Sequence, residues 1–188
     1  YLGTATGVEE QPALTLMDYE RNTSADEFGS SASTAGDFNG DGITDFAITA
    51  RYEDRPGSFP SSYANPTQCG SSYSNSGAVY IFLGVSSGLP STEPAFAYYG
   101  SNANRRLEHL AGGFDFNGDY YDDIVVGSPQ HDGVGGNDTG AVEVILGQPE
   151  DSTGTWLLCS PGFSHEGVNA GDDLGKSVAT LGDLDGDG

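Results

Sequence analysis

The amino-acid sequence predicts an all-β protein built from repeated units, and three observations lead to this prediction. Gly accounts for 29 of the 188 residues, about twice its usual share of roughly 7%, which indicates many turns. No stretch combines helical periodicity with strong helix formers, and Lys and Arg together number 6. An acidic stretch of nine residues recurs along the chain and marks an internal repeat.

The acidic stretch reads DFNGDGITD at Asp37–Asp45 and DFNGDYYDD at Asp115–Asp123, and it begins again as DLDGDG at Asp183–Gly188. Oxygen-bearing side chains occupy positions 1, 3, 5 and 9, and Gly occupies position 4. This spacing lets a short loop turn its oxygens around one hard cation, while position 7 adds its backbone carbonyl. We predict Ca²⁺ rather than Mg²⁺, because Mg²⁺ prefers fewer protein ligands and more water.

The predicted metal ligands follow from these loop positions. They are Asp37, Asn39, Asp41, Ile43 and Asp45 in the first loop, Asp115, Asn117, Asp119, Tyr121 and Asp123 in the second, and Asp183, Asp185 and Asp187 in the third. The alternative is an Asx-rich hairpin turn, in which Asp and Asn side chains bond only the backbone. Three copies in one register favour the metal over that alternative.

The residue at position 6 distinguishes the loops as metal sites, because this position often requires a positive φ. Gly42 and Gly186 occupy it in the first and third loops, but Tyr120 occupies it in the second. A Tyr adopts positive φ at a cost of order 1 kcal/mol. The second loop is therefore expected to be the less favourable site.

Each repeat is predicted to contain four strands around its acidic loop. In the first complete unit these are Phe28–Ala35, Phe46–Arg51, Ala78–Leu83 and Ala95–Tyr99, and in the second they are Leu107–Gly112, Ile124–Gly127, Ala141–Leu146 and Thr155–Cys159. Repeats of four antiparallel strands are typical of the blades of a β-propeller. A blade cannot bury both of its faces alone, so neighbouring blades must stack.

The repeat predicts how the chain is divided. Residues 1–27 are the end of a preceding blade and a linker, 28–100 and 101–162 are two blades with acidic loops, and 163–188 begin a third blade. About two and a half blades are therefore present, whereas a closed propeller needs at least four.

Several of these pieces resemble the FG-GAP repeat of integrin α-subunit propellers and their bacterial relatives. The matching pieces are Phe28–Gly29, the acidic loops, Gly127–Pro129 and Gly77–Phe82. Thr49–Arg51 and Leu107–Glu108 depart from the family's Gly-Ala-Pro and Phe-Gly. The resemblance implies structural Ca²⁺ in the hairpins between the first two strands of each blade, all at one end of the disc. It also implies that ligands bind the opposite end or the loops between blades.

Charge excludes two classes of partner. The formal net charge is −22, and nucleic acid or an anionic membrane surface would require clustered Lys and Arg. No signal peptide is recognised, and no apolar run is long enough to insert into a bilayer.

Cysteines and glycosylation motifs favour an oxidising, extracellular location. Cys69 and Cys159 either form a disulfide or are two buried free thiols. Asn22 and Asn137 begin N-glycosylation motifs that would be used in a secreted glycoprotein.

Motifs that suggest catalysis are weak. Gly84–Gly88 matches the Gly-x-Ser-x-Gly nucleophile elbow, but Leu and Pro follow where that elbow needs a helix. His109, His131 and His165 share no metal-ligand spacing, so packing or surface roles are expected for them. We therefore predict that the chain is not an enzyme.

Two further segments have open interpretations. Arg105–Arg106 either docks an acidic partner or forms an ion pair with a nearby acid, and we favour the ion pair. The Tyr-rich insertion Tyr52–Ser76 either contacts carbohydrate or protein or packs on its own aromatic rings.

The sequence as a whole predicts a non-catalytic, extracellular, calcium-stabilised propeller module for adhesion, recognition or structural assembly. Its expected ligand is a protein or a carbohydrate on extracellular surfaces. The alternative is a lectin-like, carbohydrate-binding propeller appended to a secreted enzyme. Self-assembly of blades end to end is a further hypothesis, since an open array exposes an unpaired blade face.

Overall fold

A computed structural model describes residues 3–4, 7–8, 13–17, 26–59, 63–64, 71–150 and 154–181. Within these residues the regular structure consists of β-strands alone, which confirms the all-β prediction. The strands are β1 (Gly3–Thr4), β2 (Gly7–Val8), β3 (Phe28–Gly36), β4 (Asp45–Ala50), β5 (Ala78–Phe82), β6 (Phe96–Tyr99), β7 (His109–Phe114), β8 (Asp123–Gly127), β9 (Ala141–Ile145), β10 (Trp156–Leu158) and β11 (Phe163–Glu166).

The strands form two blade-like sheets and a separate β1–β2 hairpin. The first sheet has the order β10-β6-β5-β4-β3, and the second has the order β11-β9-β8-β7. All pairs are antiparallel except β10 with β6, which is parallel. Each sheet therefore contains a four-stranded antiparallel meander, as a propeller blade requires.

The fourth strand of the second sheet is not the one predicted. Residues 155–159 were expected there, but β10 instead adds a parallel strand to the outer edge of the first sheet. The fourth strand is β11, in which Phe163 pairs with Val144 just as Phe96 of β6 pairs with Ile81. This last strand of the second sheet lies in the segment 163–188 that was assigned to a third blade.

The two sheets pack face to face through alternate residues of their strands. Val79 and Ile81 of β5 face the second sheet, whereas Tyr80 faces away from it. The side chains shared by the interface are Ala35, Phe38, Ala47, Val79, Ile81, Phe96, Tyr98, Leu107, Ile124, Val126 and Ile145. Both faces of β5 are buried, so a neighbour must cover each of them.

The inner strands β3 and β7 approach closely, and glycine makes this approach feasible. A Cβ at Gly112 would lie 2.5 Å from the carbonyl oxygen of Thr34. The backbones of β3 and β7 therefore lie close together at this edge, which brings the first hairpins of the two sheets side by side.

The Tyr-rich insertion contributes to the other face of the first sheet. Phe59 and Tyr63 are buried, and the Phe59 ring lies 5.3 Å from that of Tyr99. Tyr52 and Tyr73 stay half-buried beside Arg51 and Arg55, respectively. The described part of the insertion thus packs on its own aromatic rings and on the sheet, as one of the two interpretations predicted.

Residues 60–62 and 65–70 of that insertion lie outside the described residues. In the part of the chain that is described, no helix has the length and apolar character needed to cross a membrane.

Candidate metal centres

Both complete acidic loops are hairpins between the first two strands of their sheets. The first loop joins Gly36 at the end of β3 to Asp45 at the start of β4. The second joins Phe114 at the end of β7 to Asp123 at the start of β8. Because β3 and β7 run side by side, the two loops lie at the same end of the sheets.

The conformation of the first loop is stabilised by its own polar side chains. An Asp37 oxygen accepts a hydrogen bond from the N–H of Gly42 at 2.9 Å. Asn39 Oδ1 accepts from the N–H of Asp41 at 3.2 Å, and Asp41 Oδ1 accepts from the N–H of Ile43 at 2.8 Å. Each of these side chains thus shares one oxygen with the backbone and keeps lone pairs for another partner.

The second loop repeats the same pattern. Asp115 Oδ2 accepts from the N–H of Tyr120 at 2.8 Å, and Asn117 Oδ1 accepts from the N–H of Asp119 at 3.1 Å. Asp119 Oδ1 accepts from the N–H of Tyr121 at 3.0 Å. Two different sequences therefore adopt one loop conformation, as expected of a repeated functional element.

Asp45, at position 9, ties the first loop to the sheet. Its side-chain oxygens accept hydrogen bonds from the N–H of Phe38 at 3.0 Å and from the N–H of Gly84 at 2.8 Å. Burial raises the pKa of Asp45 to about 6, and the nearby charge of Asp41 acts in the same direction. A cation in the loop would offset both effects.

Asp123 has the equivalent place in the second loop. It is fully buried, and its oxygens accept from the N–H groups of Phe116 and Gly147, both at 2.7 Å. Burial likewise raises the pKa of Asp123. In both blades a buried carboxylate links the acidic loop to the end of the third strand.

One oxygen of the first loop favours a metal over a simple Asx-rich turn. Asp37 Oδ1 is buried and has no hydrogen-bond partner. Leaving such an oxygen unpaired is costly, because it has lost its water without gaining another partner. All the candidate metal-ligand atoms of the loop are oxygens, which suits a hard cation such as Ca²⁺. The residues of the first loop therefore fit the predicted metal.

The acids alone do not form a complete site. Among the described residues, no three His, Cys, Asp or Glu side chains are grouped so that they could hold a metal ion. A Ca²⁺ ion in the first loop would therefore have to draw together acids that are not yet grouped, and it would also need the amide oxygen of Asn39 and the carbonyl of Ile43.

The second loop has the positive φ at position 6 that its sequence predicted, while its rank as a metal site stays a prediction. Tyr120 adopts a φ of 72°, close to the 86° of Gly42 at the same loop position, and its side chain is 93% exposed. Asp115 Oδ1 also accepts a hydrogen bond from the N–H of Gly118 at 2.7 Å, so both oxygens of Asp115 are in use. Partial burial opposes ionisation of Asp115, but the N–H donors of Tyr120 and Gly118 outweigh it and lower the pKa.

Comparison with known families supports this interpretation of the repeats. The model of the FG-GAP repeat matches residues 28–82 and residues 108–145. The chain belongs to the FG-GAP repeat family. Each match runs from the first strand of a sheet through its acidic loop to the third strand, so the chain contains a β-propeller-like module. No curated protein matches the chain.

Several other predicted sites of this FG-GAP chain stay predictions. The third loop, with Asp183, Asp185 and Asp187, lies outside the described residues, as do Asn22 and Cys69. Cys159 follows β10 and is half-buried. Its pairing with Cys69 stays a prediction, because Cys69 lies outside the described residues. Asn137 is exposed between β8 and β9, and its glycosylation stays a prediction.

A buried ionic network between the FG-GAP blades was only partly predicted. Arg105 is 1% exposed and forms ion pairs of 2.8 Å with both Glu143 and Glu166, which confirms the ion-pair interpretation. Glu143 is fully buried, and the hydroxyls of Tyr98 and Ser101 each donate to it at 3.0 Å. A single Glu in the otherwise apolar strand β9 was the sequence signal for this network.

The histidines differ in their surroundings. His131 is 4% exposed, and its Nε2 lies 3.0 Å from Glu166 Oε1. Burial and the Arg105 charge lower the pKa of His131, although Glu166 opposes the shift. His165 is exposed on β11. His131 therefore has a packing role, as predicted for these residues.

Proposed function

We propose that this FG-GAP chain is a non-catalytic, extracellular, calcium-stabilised propeller module for adhesion, recognition or structural assembly. The observation that carries the calcium proposal is the buried oxygen of Asp37, which has no hydrogen-bond partner. The other candidate metal-ligand atoms of its loop are also oxygens. A second loop with the same hydrogen bonds lies at the same end of the neighbouring blade. If the acidic stretch were only an Asx-rich turn that closes a hairpin, the same loop would not have to recur in the neighbouring blade.

Bound Ca²⁺ would supply a positive centre for the carboxylates of each loop. In the first loop the ligands are Asp37, Asn39, Asp41 and Asp45 through side-chain oxygens and Ile43 through its carbonyl. Asp45 has a special part, because its two hydrogen bonds to the backbone reach both the loop and Gly84, two residues beyond the third strand. Fixing Asp45 as a carboxylate would therefore fix the hairpin against the sheet.

Thermal unfolding with and without a chelator tests the structural role of calcium. We expect the melting temperature to fall when EDTA is added and to recover with excess Ca²⁺. A ligand at 100 times its Kd stabilises a folded protein by about 2.7 kcal/mol. Asp41→Ala should remove much of this response, whereas Glu93→Gln, an exposed change outside the loops, should not. Melting and protease resistance that ignore the chelator would contradict the proposal.

Binding assays test the proposed partner. A module for adhesion or recognition should support cell attachment in Ca²⁺, and the variant Asp41→Ala should attach less. Binding to a glycan array without cell attachment would instead favour the lectin-like module of a secreted enzyme. Hydrolytic activity retained by the isolated chain would contradict the non-catalytic proposal.

A further inference from the structure

The two acidic loops are joined directly across the blades. The backbone N–H of Asp37, the first residue of loop one, donates to Asp122 Oδ2 at 2.7 Å. In return, the backbone N–H of Asp122 donates to the carbonyl oxygen of Asp37 at 3.1 Å. These two reciprocal hydrogen bonds connect residues that are 85 positions apart in the chain.

Close packing reinforces this connection. A Cβ at Gly36 would collide with the Asp122 carboxylate, so the residue before loop one must be Gly. A Cβ at Gly40 would lie 2.6 Å from Cε1 of Tyr121. The N–H of Gln148 also donates to the carbonyl oxygen of Phe38 at 3.0 Å. Loop one therefore rests against loop two and the end of the neighbouring blade along much of its length.

Asp122 is not one of the predicted ligands of either loop. It stands at position 8 of loop two, and the equivalent residue of loop one, Thr44, is exposed. Its neighbours in the chain are Tyr121 and Asp123, which are both predicted ligands of loop two. Asp122 thus connects the ligand backbone of one loop to the first ligand of the other.

We propose that the two loops form a coupled pair of calcium sites, with Asp122 as the positioning residue between them. This inference rests on the proposed function, in which both loops bind Ca²⁺. Ca²⁺ in loop two would fix the backbone around Tyr121 and thereby hold the Asp122 carboxylate against Asp37. Asp37 would then have less conformational freedom to lose when loop one binds its own ion. Such coupling must act equally in both directions.

Calorimetric Ca²⁺ titrations of the chelator-treated chain test the positioning role. Every protein carries Asp185→Ala and Asp187→Ala to disable the third loop, and for this first test each also carries Asp119→Ala to disable loop two. In this background we expect Asp122→Ala to weaken Ca²⁺ binding by loop one about tenfold, as for the loss of a hydrogen bond to a charged group. Circular dichroism verifies that each variant is folded.

Two matched variants separate positioning from charge. Asp122→Asn removes the same negative charge as Asp122→Ala, but it keeps a side-chain oxygen that can accept from Asp37. We expect Asp122→Asn to retain most of the affinity of loop one. Thr44→Ala changes position 8 of loop one itself and should leave the affinity unchanged.

Reciprocity tests the coupling. The affinity of loop one is compared with loop two intact and disabled, and the affinity of loop two is compared with loop one intact and disabled by Asp41→Ala. We expect the same factor in both comparisons, about fivefold or more. A change in neither comparison would show that the loops are independent, and a change in only one would contradict the coupling.

The outcomes distinguish this inference from the proposed function. If Asp122→Ala binds Ca²⁺ as tightly as its parent, or if Asp122→Asn is as weak as Asp122→Ala, the positioning role is wrong and the calcium sites stand. If the unmodified chain binds no Ca²⁺, the proposed function is wrong and the coupling with it.

Discussion

At the scale of single residues, Tyr120 shows how a repeat keeps its conformation when its sequence changes. Its φ of 72° is in the left-handed region, which costs roughly 1–2 kcal/mol for a residue with a side chain. The side chain is 93% exposed, so packing recovers little of this cost. The N–H of Tyr120 donates to Asp115 Oδ2 at 2.8 Å, and this hydrogen bond stabilises the conformation.

We therefore predict that Tyr120→Gly stabilises the chain. Relief of backbone strain outweighs the extra entropy of Gly in the unfolded state, so the free energy of unfolding should rise by about 0.5–1 kcal/mol. Urea denaturation measures the change. Gly42→Ala in the first loop is the matched control and should destabilise by about 1 kcal/mol, because its Cβ meets nothing and only strain is added. A destabilised Tyr120→Gly variant would contradict the argument.

His131 gives a pH dependence whose sign follows from its environment. Burial lowers its pKa below the ordinary 6.5, against the opposing charges of Glu166 and Glu143 and with the help of Arg105. As the pH falls below 6.5, the unfolded chain binds the proton first, so stability is lost until the pH passes the folded pKa. Above pH 6.5 the histidine is neutral in both states and contributes no slope.

The variant His131→Gln should therefore lose less stability than the parent chain between pH 7.5 and the folded pKa. Urea denaturation at several pH values measures this difference. Asp45, whose raised pKa of about 6 acts in the opposite direction, is present in both proteins and cancels from the comparison. Parallel pH profiles for the two proteins would show that His131 does not titrate on unfolding.

At the scale of elements, the sequence predicted where strands form better than how they pair. Seven of the eight strands assigned to the two units lie in their expected sheets, because their apolar runs and the flanking loops repeat. The eighth, β10, is a strand as predicted, but it joins the first sheet instead of the second. A short apolar run such as Trp156–Leu158 indicates burial, and nothing local to it selects a partner.

The strand that was missed had a weak local signal and a clear repeat signal. β11 is mostly exposed and contains Ser164 and His165, so its composition does not favour a strand. Its sequence FSHEG nevertheless occupies the same place as FAYYG at Phe96–Gly100, and Asn follows two residues later in both. Comparison of the repeats in full, rather than strand propensity, would have found it.

We predict that β10 contributes substantially to stability. Leu157 is 1% exposed and belongs to the apolar cluster on the outer face of the first sheet. Leu157→Ala should lower the free energy of unfolding by about 2–4 kcal/mol, as other buried Leu truncations do. Ser160→Ala, an exposed change just after the strand, should stay within about 0.5 kcal/mol of the parent. Equal effects in urea denaturation would show that β10 is only loosely attached.

At the scale of the whole molecule, stacking of the two sheets changes what individual residues experience. Glu143 alternates with apolar neighbours in β9, a pattern that by itself would predict a solvent-facing side chain. It is fully buried, because the first sheet covers that face and supplies the hydroxyl of Tyr98. Burial of this kind depends on the neighbouring blade, so the sequence of one blade could not predict it.

The same stacking makes Arg105 the residue on which the inter-blade network depends. We predict that Arg105→Met lowers the free energy of unfolding by about 3–5 kcal/mol, because the buried Glu143 then lacks its cation. Adding Glu143→Gln removes the uncompensated charge yet keeps an oxygen for Tyr98, so the double variant should recover much of the loss. Urea denaturation of the single and double variants measures this coupling, and strictly additive losses would contradict it. Arg106→Met, which loses one hydrogen bond to the Gln130 carbonyl, should cost only about 1 kcal/mol. A large difference between these two adjacent arginines would show that the interface between blades, rather than the charge of the segment, determines their importance.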